Sequence, residues 1–339
     1  MKSYYRPLAQ TDAARPQGAL PLAGHARIWF DRVAFLRRGE AARIVPASSI
    51  PQQMQDKLSA TRVAPAGLSF EKPVLMGVLN TTPDSFSDGG RFDTLQAARA
   101  HAAEMVAQGA DMLDVGGEST RPGAALVPAH EELSRTAPII SALKEAGVGV
   151  PISIDTRKAV VAEGALAAGA NVLNDVSAFS FDAQMLDIAR KSGAPICLMH
   201  AQGDPRTMQK DPRYDDVVLD VYDYLEDRVS LALEAGLARY QLIIDPGIGF
   251  GKTADHNLAL IRGLSLFHGL GCPILLGVSR KRFIGTIGNA PDPAKRAAGS
   301  VAVALNGLSQ AVQIIRAHDI EPHAQAFALW DAMLNKELD

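Results

Sequence analysis

Residues 151–175 read PISIDTRKAVVAEGALAAGANVLND. A short apolar run, 151–154, ends in Asp155. An Ala- and Val-rich stretch without proline, 158–168, has helical periodicity. Gly169-Ala170 closes it, glycine supplying the left-handed turn that ends many helices. A second apolar run, 171–173, then ends in Asn174-Asp175. This is one strand–helix–strand unit.

The unit recurs from residue 74 onward. Apolar runs are expected as strands at 74–79, 111–115, 151–154, 171–173, 195–199, 241–244, 272–278 and 312–316. Helical stretches follow at 94–108, 129–146, 158–168, 182–191, 214–235, 255–264, 292–308 and 321–334. Runs apolar on both faces suit a parallel sheet covered by helices. Eight repeats point to a closed α/β structure, a (β/α)8 barrel of the TIM type, ahead of an open doubly wound sheet. Residues 1–72 break the rhythm and form an N-terminal extension before a barrel over 73–339. In it, 27–36 and 41–45 suggest short strands and 51–60 a short helix.

Composition narrows the class. A net charge of -3 leaves no basic surplus for nucleic acid. Cys197 and Cys272 sit in apolar runs and read as buried thiols, neither a disulfide framework nor a metal site. No apolar stretch approaches a membrane span. Pro7, Pro16 and Pro21 would interrupt the amphipathic helix of a targeting leader, so the cytoplasm is the expected compartment.

In such barrels the chemistry gathers at the C-terminal ends of the strands. The polar residues there are Asn80, Asp114 with Glu118, Asp155, Asn174 with Asp175, His200, Asp245, Ser279-Arg280-Lys281 and His318-Asp319. A carboxylate accepts two parallel N–H bonds, so acids and amides at fixed depth suit the edge of an amino-substituted heterocycle. Arg, Lys and His on the same rim suit a phosphate or diphosphate. The site therefore reads as one for a polar heterocycle plus an anion. Bland readings stand beside these: Asp245-Pro246-Gly247 is also a plain turn, Asn174-Asp175 a helix cap and His318 a capping or core histidine. Two motifs mislead. Gly247 to Thr253, GIGFGKT, resembles the tail of a nucleotide P-loop, but Pro246 stands where that motif needs glycine. His130-Glu131 opens like a zinc motif, whose last histidine is here Ser134.

The loops themselves resemble those of the dihydropteroate synthases. The run Leu79-Asn80-Thr81-Thr82-Pro83-Asp84-Ser85-Phe86-Ser87-Asp88-Gly89-Gly90 is similar to that family's first signature. Asp114 to Gly123, DVGGESTRPG, is similar to its second. Ser153 to Thr156, Asn174 to Ser177, Met199-His200 with Gln202-Gly203, Asp245 to Lys252, Ser279-Arg280-Lys281 and Arg316 to Asp319 follow in the family's order. Ala201, where methionine is common, and Thr81, where valine is common, depart from the pattern. The match runs from about Pro73 to the end and leaves residues 1–72 outside it.

The resemblance implies a transferase of folate synthesis. It would join 6-hydroxymethyl-7,8-dihydropterin diphosphate to p-aminobenzoate, as a homodimer, with Mg2+ as cofactor. It implies that Asp155, Asn174, Asp245, Lys281 and Arg316 bind the pterin, Asp245 through the 2-amino group and N3. Asn80, Thr120, Arg316 and His318 would take the diphosphate, Asn80 also holding the metal. Phe86, Pro122 and Ser279 would receive p-aminobenzoate, its carboxylate meeting the helix start after Ser279. Asp84, Ser119 and Arg121 would lie on mobile loops. Asp155, Lys281, Arg316 and His318 would be the catalytic residues. Three alternatives stay open: a barrel moving a methyl group from a folate to a corrinoid, which has no use for the cationic cluster, a catalytically silent binding paralogue, and a non-pterin phosphate-binding barrel.

Overall fold

The computed structural model describes residues 1–81, 91–119, 124–203 and 207–335, with the side chains of 91–94 and 335 left aside. Eight parallel strands make the barrel: β6 (Val74–Asn80), β7 (Met112–Gly116), β8 (Ile152–Asp155), β9 (Val172–Asp175), β10 (Ile196–Met199), β11 (Leu242–Asp245), β12 (Leu275–Gly277) and β13 (Ile314–Ala317). They pair in the order β11-β10-β9-β8-β7-β6-β13-β12. A parallel bridge between Ile244 and Ile274 closes the ring. The ring is the expected barrel. The strand expected over 272–278 shrinks to Leu275–Gly277, because Pro273 has no N–H to give and contributes only its carbonyl, to Ile244 N at 3.0 Å.

The helices alternate with the strands: α2 (Arg91–Ala107), α3 (Ala129–Glu145), α4 (Ala159–Ala168), α5 (Gln184–Ser192), α6 (Val217–Glu234), α7 (Ala254–Arg262), α9 (Ala297–Leu308) and α10 (Ile320–Asn335). Gly169 ends α4 at φ 115°, the left-handed turn expected of it. The helix expected from 214 starts at Val217 instead, because the Asp216 carboxylate accepts from Val218 N and Leu219 N and so fixes the first turn. The helix expected from 292 starts at Ala297. A six-residue helix, α8 (Arg282–Ile287), was not expected, being too short to show a period.

The interior is layered by the two-residue period of the strands. Val74, Met76, Met112, Val172, Cys197, Ile243, Leu275 and Ile314 form the apolar floor. Two residues further along the same strands come Asp114, Asn174, Asp245 and Arg316. The pleat that buries the floor therefore points these polar groups inward, one layer higher.

Residues 1–72 fold onto the N-terminal side of the barrel. Strands β1 (Tyr4–Pro7), β4 (Arg32–Leu36) and β5 (Arg43–Pro46) form an antiparallel sheet, while β2 (Leu20–Pro21) pairs with β3 (Trp29–Phe30). Helix α1 (Gln52–Ser59) packs beside them. Leu22, Ile28, Phe30, Val33 and Leu58 form a small core completed by Ala311 of the barrel. Ala66, Leu68 and Phe70 pack against the barrel floor. Polar ties hold the edges: Ser265 Oγ donates to Pro7 O at 2.8 Å, and Lys2 and Arg38 pair with Asp223. Among the described residues no helix is long and apolar enough to cross a membrane.

Because the extension's core includes a barrel residue, both parts are expected to unfold together. Leu58→Ala is expected to cost about 2–5 kcal/mol. In a Trp330→Phe background, denaturant titration should give coincident Trp29 fluorescence and far-UV transitions. A separate, earlier Trp29 transition would show an independent extension.

Candidate active site

The centre of the mouth is Arg316 on β13. Its Nε donates to Asp114 Oδ2 at 2.6 Å, and its Nη2 to Asp155 Oδ2 at 3.0 Å. Asn174 Nδ2 donates to the same Asp114 oxygen at 3.0 Å. Asp114 Oδ1 is buried with no hydrogen-bond partner among the described residues. Burial works against the guanidinium's charge, but Asp114 and Asp155 more than offset it and hold Arg316 above its ordinary range. Asp155 is pushed up to about 7 by burial, against the opposing charge of Arg316 and with help from Asp114.

Asp245 ends β11 and accepts from Gly247 N at 2.7 Å. Burial pushes its carboxyl up to about 6, against that hydrogen bond and the charge of Lys281. Lys281 reaches the same side, with Nζ 4.1 Å from the centroid of the Phe250 ring. His318 donates its backbone N–H to Ser279 Oγ at 3.1 Å, and its Nδ1 lies 3.0 Å from that oxygen. The Ser279 hydroxyl is thus committed to His318, across the β12–β13 edge. Arg280, beside it, pairs with Asp319 and lies off the cluster.

The sequence-predicted residues Asp155, Asn174, Asp245, Lys281, Arg316, His318, Ser279 and Asn80 all stand at the same ends of the barrel strands. Ser119 stands at the start of the second loop; Asp84 and Phe86 of the first loop, and Thr120, Arg121 and Pro122 of the second, lie outside the described residues. Reading the sequence missed three things. Asp114 was noted as a strand end but not as the partner of Arg316 and Asn174. The second is a buried ion network behind the second loop. There Lys158 Nζ donates to Glu118 Oε2 at 2.8 Å and also pairs with Glu132, and Arg157 Nη2 stands 3.3 Å from Glu118 Oε2. Glu118 Oε1 in turn accepts from Val127 N at 3.0 Å, and so fastens the far end of the loop to its start. Two acids and two bases balance, the condition for burying charges at tolerable cost. The third is Lys252, whose Nζ turns back onto the carbonyls of its own loop, the opposite of a P-loop lysine.

A magnesium ion fits the donors present. Among the described residues no group of three or more His, Cys, Asp or Glu is placed to hold a metal. Mg2+ needs none, binding through one or two protein oxygens plus substrate phosphates. A Cβ built on Gly116 would lie 3.8 Å from Asn80 Oδ1 and 3.8 Å from Asp155 Oδ2, so a hard amide oxygen and the acid both face this strand end.

The raised carboxyl of Asp245 has a cost that can be measured. The native state keeps this proton to about pH 6, while the unfolded chain releases it near 3.8. Native protein thus binds more protons across that interval, and stability falls as pH rises through it. Asp245→Asn cannot titrate, so its Tm is expected to exceed that of the parent above pH 6, by roughly 1–2 °C per kcal/mol recovered. The gain should vanish below about pH 4. A calorimetric pH series checks this, and a gain independent of pH would refute it.

Residues 76–318 match the family of pterin binding enzymes. The chain is 44% identical over 286 residues to the dihydropteroate synthase of Bacillus subtilis (strain 168), spanning 84% of this chain and 97% of that one. It is 43% identical over 268 residues to that of Escherichia coli (strain K12), spanning 79% and 94%. Among solved structures it resembles the Yersinia pestis dihydropteroate synthase with a sulfonamide drug complex, at TM-score 0.76 and 41% identity over 81% of this chain and 100% of that one. It also resembles the Xanthomonas albilineans enzyme in complex with 7,8-dihydropteroate, at TM-score 0.73 and 39% identity over 81% and 99%. With the barrel, the charged mouth and this agreement along most of its length, the chain belongs to the pterin binding enzyme family and, within it, to the dihydropteroate synthases.

Proposed function

We infer that this chain condenses 6-hydroxymethyl-7,8-dihydropterin diphosphate with p-aminobenzoate, giving 7,8-dihydropteroate and diphosphate. The observation that carries the reading is the convergence of Asp155, Asn174, Asp245, Lys281 and Arg316 on one mouth. Asp245 accepts from the pterin 2-amino group and N3. Asn174 and Asp155 hold the other ring nitrogens, with Asn174 fixed in place by Asp114. Lys281 reaches the ring carbonyl and N5.

The reaction breaks the bond between the exocyclic methylene carbon and the diphosphate oxygen. Diphosphate leaves with the electron pair. The arylamine nitrogen forms the new C–N bond and gives up a proton. Arg316 and His318 stabilise the negative charge gathering on the leaving group, and Asp155 the positive character on the pterin. Thr120 also belongs to the diphosphate side, and Phe86, Pro122 and Ser279 to the p-aminobenzoate side, with Asp84, Ser119 and Arg121 on the covering loops. Ser279 acts by holding His318 as well as by its place before α8. Bound beside Asn80, Mg2+ would neutralise diphosphate charge. No covalent enzyme intermediate is needed.

The protein is read as a cytoplasmic homodimer. Leu329 and Met333, one turn apart on α10, are 62% and 70% exposed and give an apolar surface suited to a second copy.

The decisive experiment is a coupling assay that follows diphosphate release. Asp155→Ala and Asp245→Ala are expected to stay folded and to lose about 10²–10³ in kcat/KM. Parent-like turnover in either would contradict the assignment. The parent's KM for the pterin diphosphate is expected to climb as pH falls below about 6, because protonated Asp245 no longer accepts two N–H bonds. Chelation of Mg2+ should suppress release, and Asn80→Ala should raise the Mg2+ concentration needed. Turnover indifferent to chelator would remove the metal from the scheme.

A further inference from the structure

The sequence GIGFGKT, not a P-loop, is left without a task by the chemistry above. Its lysine is buried, and its surroundings give it one. Lys252 Nζ lies 2.9 Å from His200 Nδ1, 2.8 Å from Gly247 O and 2.9 Å from Phe250 O. An ammonium has three N–H donors, and here each meets an acceptor. Burial, then the neighbouring charge of Lys252, holds His200 well below its ordinary range, so its ring is neutral and Nδ1 is an acceptor.

The three acceptors come from two loops that touch. A Cβ on Gly247 would fall 1.8 Å from His200 O, and one on Gly251 would fall 2.5 Å from Gln202 O. Such a close approach turns carbonyl oxygens of both loops toward one another, and the lysine sits among them. What the clamp holds is the pterin side of the site. Gly247 N–H, on the clamped loop, donates to Asp245, and the Phe250 ring, on the same loop, lies under Lys281 Nζ. The rest of the loop is satisfied in kind. Asn257 Oδ1 accepts from Gly249 N at 2.7 Å, and Tyr214 donates to Gly251 O at 2.8 Å.

We propose that Lys252 is a positioning residue of the pterin site: by drawing His200, Gly247 and Phe250 onto one ammonium it fixes the loop that orients Asp245 and Lys281. It does not touch the reacting atoms. The proposal rests on the pterin reading of the mouth and concerns the pterin half of the site alone. Losing the clamp therefore weakens pterin binding and leaves p-aminobenzoate binding as it was.

The test compares Lys252→Met, which keeps the stem and removes the donors, with two changes at its partner. His200→Asn keeps an acceptor near the place of Nδ1, and His200→Leu removes it. The parent enzyme is assayed first with the pterin diphosphate and p-aminobenzoate. No turnover there sinks the pterin reading itself. Given turnover, Lys252→Met is expected to raise KM for the pterin diphosphate at least about tenfold, with KM for p-aminobenzoate within about twofold. His200→Leu should shift the same constant in the same direction by less, and His200→Asn should restore it. Should Lys252→Met fail to fold, the two His200 variants decide. An unchanged pterin KM in His200→Leu, or equal rises for both substrates, overturns the proposal.

Discussion

The mouth of this barrel is organised by one guanidinium between two carboxylates. Arg316 pairs with Asp114 and Asp155 together, and among the described residues neither acid is paired with another cation. Placing acids of like charge above an apolar floor, Asp114 one layer up and Asp155 two, is costly, and a delocalised cation with a forked set of donors spans both. A lysine there would be a point charge serving one acid at a time. With Arg316 in place, Asp114 is free to hold Asn174, and Asp155 is held at the depth where a ligand meets it. The site is preorganised by its own charges before any ligand arrives.

Much of this was legible in the chain because two periods coincide. The strand period of two that lays Met112, Val172, Ile243 and Ile314 on the floor also sets Asp114, Asn174, Asp245 and Arg316 above it. An acid abutting an apolar run is thus a visible sign of the rim. What could not be read was partnership. Asp114 and Arg316 are 202 residues apart, and nothing local in either run announces the other. The network of Glu118, Glu132, Arg157 and Lys158 escaped for the same reason, since its members look like ordinary loop and helix charges until the fold buries them. Lys252 drew attention for a motif it does not complete, while its three acceptors exist only once two loops are pressed together. Strand β1 and helix α8 are simply too short for a period to show.

The two ends of the barrel carry different work. At one, charges are buried and their proton affinities displaced: burial pulls Lys252 down to about 7 while it pushes Asp155 and Asp245 up. At the other, apolar residues of the floor meet the extension, and the interactions there are packing and surface ion pairs. The displaced charges thus sit at one end and much of the packing that offsets their burial at the other.

Ala66, Leu68 and Phe70 pack beneath the floor, so the lower end of the barrel is filled with side chains rather than open. Asp155 and Asp245 stand above that filling, and the way to them runs from the end where the strand-following loops lie. A guest seated against those acids lies deeper than one held at the rim, so the barrel offers depth as well as charge for telling two guests apart.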